Sequence, residues 1–185
     1  MVAPSLVEGV DYVKTLLGVE PGPGGEHARM GTYNRLLRLG GEQYLEVIAV
    51  NPVAPPPDRP RWFGMDRIRH QPYLATWVAR ANHVGAAEEM SRGDFRWRIA
   101  IPADGSMPFD GVAPTLIQWH TASPALRMTE SGCSLRKLEL FHPRADEVEA
   151  FLMDIGFDGP VSVARGGAAR LVAHIATPAG VRQLA

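Results

Sequence analysis

The side chains best suited to chemistry concentrate between residues 27 and 46: His27, Thr32, Asn34 and Glu46. Glu46 is the most informative of them. In an extended segment Tyr44, Glu46, Ile48 and Val50 share one face, and Leu45, Val47 and Ala49 share the other. Both faces are apolar except at the glutamate, so its carboxylate is expected to point into a lined space. A carboxylate there must be paired, bound to a metal or raised in pKa, and each state suits a ligand or a proton-abstracting base. The plainer alternative is a strand-end glutamate reaching water, Arg35 or Arg38. His27 follows a glycine loop, either poised over a pocket as a proton shuttle or extra ligand, or exposed as an ordinary loop histidine. Thr32 and Asn34 could orient a substrate through a hydroxyl and an amide, and both are equally good turn and edge-strand formers.

Further along, Phe95, Trp97, Ile99 and Ile101 share one strand face. Such an aromatic stripe is more often core than ligand platform. Arg92, Arg96 and Arg98 could grip a carboxylate or phosphate in bidentate fashion. A solvated arginine face is the better account of Arg96 and Arg98, and Arg92 stays open. Gln118 and His120 project to one face between Ile117 and Trp119, either into a cavity or to the surface. Other motifs fail. The loop Pro21-Gly22-Pro23-Gly24-Gly25 lacks the Lys-Ser/Thr of a phosphate loop, Ser106 has no G-x-S-x-G frame, and Cys133 has no base beside it in sequence.

The elements that must position these residues follow a recurring order. Ser5 to Glu8 has capping-box spacing, and Leu6, Val10, Val13 and Leu17 continue it as a helix stopped by Gly18. Residues 33–39 and 44–50 read as a hairpin turned at Gly40-Gly41, and the five prolines within 51–60 make a stiff linker. Residues 74–80 then read as a strand, 82–90 as a short helix capped by Asn82, and 95–102 and 115–120 as strands. A third round has a strand at 135–142, a helix marked by Val148, Phe151, Leu152 and Ile155, and a hairpin of 161–164 with 170–177. Three strand–helix–hairpin modules therefore span 1–50, 74–120 and 133–177. The first has a truncated opening strand, because Met1-Val2-Ala3 is too short to form one.

Composition narrows the function class. The 185 residues are 45% hydrophobic and 21% charged with a net charge of −1, an ordinary globular balance. That balance argues against nucleic acid or an anionic membrane surface as partner, since either needs a basic surplus. A single cysteine excludes a disulfide framework and suits a reducing cytoplasm. No apolar run approaches the length of a spanning helix.

The segment Gly24 to Ile48, with His27, Gly31-Thr32-x-Asn34 and Tyr44-Leu45-Glu46, resembles the glyoxalase-like domain family of the vicinal-oxygen-chelate superfamily. Met90-Ser91-Arg92, Trp97 and Leu116-Ile117-Gln118-Trp119 extend the likeness to about residue 120. The resemblance implies an α+β fold in which paired βαβββ-type modules form a cup-shaped mixed sheet with helices outside. It divides the chain into a glyoxalase-like domain over 1–122 and a third module over 133–185. It also implies a divalent metal (Zn, Ni, Co, Mn or Fe), with Glu46 and Gln118 on ligand positions, or no metal at all. Thr76 stands where a histidine ligand is expected, and the opening-strand histidine of the first module has no counterpart. Two functions follow from the resemblance. One is a metal-assisted lyase, isomerase or dioxygenase acting on a small oxygenated metabolite, with Glu46 and His27 catalytic and Thr32, Asn34, Arg92, Trp97 and Trp119 contacting substrate. The other is a metal-free module that sequesters a small molecule, as bleomycin-resistance relatives do. Either could work as a homodimer.

Overall fold

The computed structural model describes all 185 residues. Helix α1 (Leu6–Leu17) starts where Ser5 Oγ accepts the Glu8 amide at 3.2 Å and ends on Gly18 in the left-handed region, φ 72°. It packs on a sheet made of β1 (Glu26–His27), β2 (Thr32–Arg38) and β3 (Tyr44–Val50). The β2–β3 hairpin pairs Thr32 with Val50 through to Arg38 with Tyr44, in keeping with the alternation read from the sequence. The opening segment is short yet works as a strand. Val2 bridges Ile48 in parallel and Tyr73 in antiparallel, so one residue stitches the first module to the start of the second.

The second module repeats that order without the helix. Strands β4 (Val78–Arg80), β5 (Glu88–Arg92), β6 (Phe95–Ile99) and β7 (Thr115–Trp119) form a sheet ordered β4-β7-β6-β5, with β4 parallel to β7. The helix expected over 82–90 is absent. Residues 82–87 carry no regular structure, Met90 pairs with Trp97 inside the β5–β6 hairpin, and the Asn82 carbonyl accepts the Gln118 amide rather than lying at a helix cap. Likewise, only the last three residues of the strand expected over 74–80 are in a ladder.

The third module is not a further copy of the same unit. Strand β8 (Ser134–His142), helix α2 (Ala145–Asp154), β9 (Val161–Arg165), β10 (Arg170–Thr177) and β11 (Gly180–Leu184) build a sheet ordered β11-β10-β8-β9. The expected hairpin of 161–164 with 170–177 does not form. Those strands flank β8 on opposite sides, β9 in parallel and β10 in antiparallel, and the hairpin is β10–β11. A helical crossover returns the chain parallel to its starting strand, which explains the β8–α2–β9 arrangement.

Two cores result. Val13, Leu17, Leu45, Val47, Leu140, Val148 and Ile175 are among 20 buried residues that join α1 and β3 to the third sheet and α2. Burying each such side chain stabilises the fold by about 1.5–3 kcal/mol. Eleven others, including Val2, Met30, Ile48, Trp62, Trp97 and Ile117, fill the contact between the first two modules. The architecture is α+β with mixed sheets, as expected. No helix is long and apolar enough to cross a membrane.

Candidate functional site

Strands β2 and β3 place Asn34 and Glu46 on the face turned toward the second module, where Ile48 packs. Asn34 is buried and uses every part of its amide. Its Oδ1 accepts the Gly25 amide at 2.8 Å and Arg92 Nη1 at 3.3 Å. Its Nδ2 donates to Glu46 Oε1 at 2.5 Å. Three charged or backbone partners thus fix which way the amide points. The glycine loop must come close for this to happen: a Cβ on Gly24 would lie 2.0 Å from the Asn34 carbonyl oxygen.

His27 is buried beside Asn34, with the ring of Trp62 edge-on at 4.9 Å. Its Nε2 faces two donors, Arg92 Nη1 at 3.2 Å and Asn34 Nδ2 at 3.5 Å, and must therefore be the accepting nitrogen. The ring proton then sits on Nδ1 and points to Thr32 Oγ1 at 3.1 Å. Burial holds the His27 pKa below its usual value; the Glu46 anion partly opposes this and the Arg92 cation adds to it. The imidazole is accordingly neutral near pH 7, with neither nitrogen free. Its work is to position Arg92 and Asn34. Thr32, almost fully buried, supports the ring from the other side.

Glu46 is the member of this cluster that reaches open space. Its Oε1 receives Asn34 and lies 3.9 Å from His27 Nε2, while Oε2 has no partner within the chain. It lines a cavity of about 500 Å³ whose walls are mostly hydrophobic, with Tyr44, Thr76 and Trp119 among the lining residues. Burial raises the pKa of the Tyr44 phenol, and the neighbouring Glu46 anion raises it further. The phenol is therefore a hydrogen-bond donor rather than an anion at neutral pH.

Five residues singled out from sequence thus converge: His27, Thr32, Asn34, Glu46 and Arg92. Of the other three, only Trp119 shares the cavity with Glu46. Trp97 is buried against Met90 and Trp119, with the two indole centroids 5.3 Å apart, and does not line the cavity. Trp119 does line it. Gln118 faces a smaller neighbouring pocket and donates Nε2 to the Asn82 carbonyl at 2.7 Å, so it and Glu46 do not share a site. Sequence reasoning missed Phe63, Tyr44 and Thr76 as wall residues. The aromatic pair Trp62-Phe63 after the proline linker was the available signal for the first.

The residues present do not fit a divalent ion. No three His, Cys, Asp or Glu side chains converge anywhere in the chain. The one histidine near Glu46 has its accepting nitrogen turned to a guanidinium, which repels a second cation. A site for a divalent metal ordinarily needs three protein ligands or more.

Two modules whose first and last strands pair in parallel, set around a shared cavity, are the architecture of the vicinal-oxygen-chelate class. A family model described as a glyoxalase-like domain matches residues 1–156, and the chain belongs to that family. The match runs past residue 122, through β8 and α2. A solved structure of a hypothetical protein from Staphylococcus aureus superposes with a TM-score of 0.55 and 12% identity, covering 82% of this chain and 79% of that one. At that identity the likeness concerns the fold alone. No curated protein matches the sequence.

Proposed function

We propose that this chain binds a small, largely apolar molecule in the cavity behind β3, with Glu46 as the polar anchor and without help from a metal. The observation that carries this reading is a braced carboxylate with one free oxygen in a mostly hydrophobic cavity of about 500 Å³, where Glu42, the other first-module carboxylate on the wall, is already paired with Arg80. Such concave, mostly hydrophobic sites with few fixed polar groups are the usual form of a small-molecule site. The buried network of Arg92, His27 and Asn34 acts on the ligand only through Glu46: it fixes the carboxylate and leaves one oxygen to accept a hydrogen bond. Around Glu46 the donor set is one carboxylate and one occupied imidazole, fewer ligands than a divalent metal needs.

Titration with the uncharged probe N-phenyl-1-naphthylamine tests this reading. We expect a saturable rise in fluorescence with one probe per chain, unchanged by a chelator or by added nickel or zinc. A signal that requires the metal, or no signal, would overturn it.

A further inference from the structure

The cavity extends beyond the part of the chain that the family match covers. That match ends at residue 156, yet Phe157, Val161, Ala173 and Ile175 are all part of the cavity wall. Their placement is specific. Gly156, with φ 64°, turns the chain after α2, and the Phe157 amide donates back to the Leu152 carbonyl at 3.0 Å. The Phe157 ring then meets Trp77 edge-on at 4.9 Å, and Trp77 is itself fixed by Nε1 donating to the Val112 carbonyl at 2.7 Å. A Cβ on Gly159 would lie 2.4 Å from Phe157 Cζ, so a glycine is needed there for the ring to keep this position. From the other side, β10 presents Ala173 and Ile175, both buried in the larger core.

The cavity is therefore polarised. On the side of the first module lie the free oxygen of Glu46 and the Tyr44 phenol. On the side of the third module the wall includes an aromatic ring, two β10 aliphatic residues and Val161, and its one charged residue, Asp158, is exposed to solvent. We propose that the ligand is an amphiphile with a hydrogen-bond-donating head at Glu46 and an apolar tail against Phe157 and β10. The third sheet then sets the length of tail accepted. This rests on the reading of the cavity as a small-molecule site and adds the substrate class and the residues that select it. Each methylene that the wall accommodates adds about fourfold in affinity, and growth stops where the tail meets Phe157.

The test displaces N-phenyl-1-naphthylamine with straight primary alcohols from hexan-1-ol to tetradecan-1-ol, and with methyl ethers of equal heavy-atom count. On the wild-type chain, affinity should climb with each carbon to a limiting length, and the alcohols should beat their ethers by about three- to tenfold, one hydrogen bond's worth. Phe157→Ala should move the limit longer and Ala173→Leu should move it shorter, each variant first checked for a cooperative thermal transition. Opposite shifts in two variants cannot come from general loosening, and if one variant fails to fold the other still decides the length assignment. A limit unmoved by the variants that fold would overturn the role of the third sheet while leaving the cavity reading intact. Equal affinity for alcohols and ethers would overturn the head assignment in the same way. No binding of the probe by the wild-type chain would overturn the cavity reading and this proposal with it.

Discussion

The first two modules share one topology and differ in chemistry. In each, the opening segment runs parallel to the last strand and the remaining strands follow in the same order. The inward residues of β2 and β3 include Asn34 and Glu46, held by hydrogen bonds. The corresponding sheet of the second module presents Trp97, Ile99 and Ile117, which fill space. Its main polar contribution crosses over: Arg92, on the edge strand β5, reaches into the first module's cluster. One fold can thus divide its labour, with one half holding a polar anchor and the other supplying packing and edge-strand charges, Arg92 and Glu88, that pair with it. A buried polar network is stabilising only when nearly every group is satisfied, which favours gathering it in one half.

The largest effect should come from the packing half. Trp97→Ala removes the indole between Met90 and Trp119 and should cost about 3–5 kcal/mol in chemical denaturation. The polar half should yield less per residue. Asn34→Ala leaves the Gly25 amide and Glu46 without their partner, and a loss of about 2–3 kcal/mol is expected by the same measurement. A loss under about 0.5 kcal/mol would mean that water replaces the amide at no cost and that the network is not a unit.

The smallest effect is a pH dependence. His27 has a folded-state pKa below the unfolded value of about 6.5. Its contribution to stability is complete above about pH 6.5 and is lost as pH falls from there toward the folded-state value, because the unfolded chain takes up the proton first. His27→Gln should flatten that part of the stability profile. Arg92→Met removes a cation that disfavours imidazolium, so the His27 pKa, followed by NMR, should rise relative to wild type. An unchanged titration would place the arginine away from the ring.

Local features were legible in the sequence where a local rule governs them. The Ser5 cap, the Gly18 stop and the alternation along β3 each depend on residues a few positions apart, and each reads correctly. Glu46 stood out because it interrupts an apolar strand, whereas the glycine loop before His27 read only as a loop, its close approach to Asn34 being a tertiary contact. What failed depended on distant partners. Residues 88–92 became a strand because Met90 meets Trp97, which a helical reading of that stretch ignores. Three of the third module's four strands were identified, yet β11 and the strand order were not, since pairing β9 or β10 with β8 satisfies the same local pattern. Arg92, left open on sequence, owes its role to contacts with His27 and Asn34, 65 and 58 residues away.

As proposed, Glu46 serves the cavity as an organic anchor rather than as a metal ligand. Elemental mass spectrometry on purified, tag-free protein, before and after incubation with Zn, Ni, Co, Mn and Fe salts and then desalting, tests it most directly, with Glu46→Ala in parallel. Only trace metal is expected in both proteins under both conditions. Near-stoichiometric metal in the wild-type chain that disappears in Glu46→Ala would contradict it.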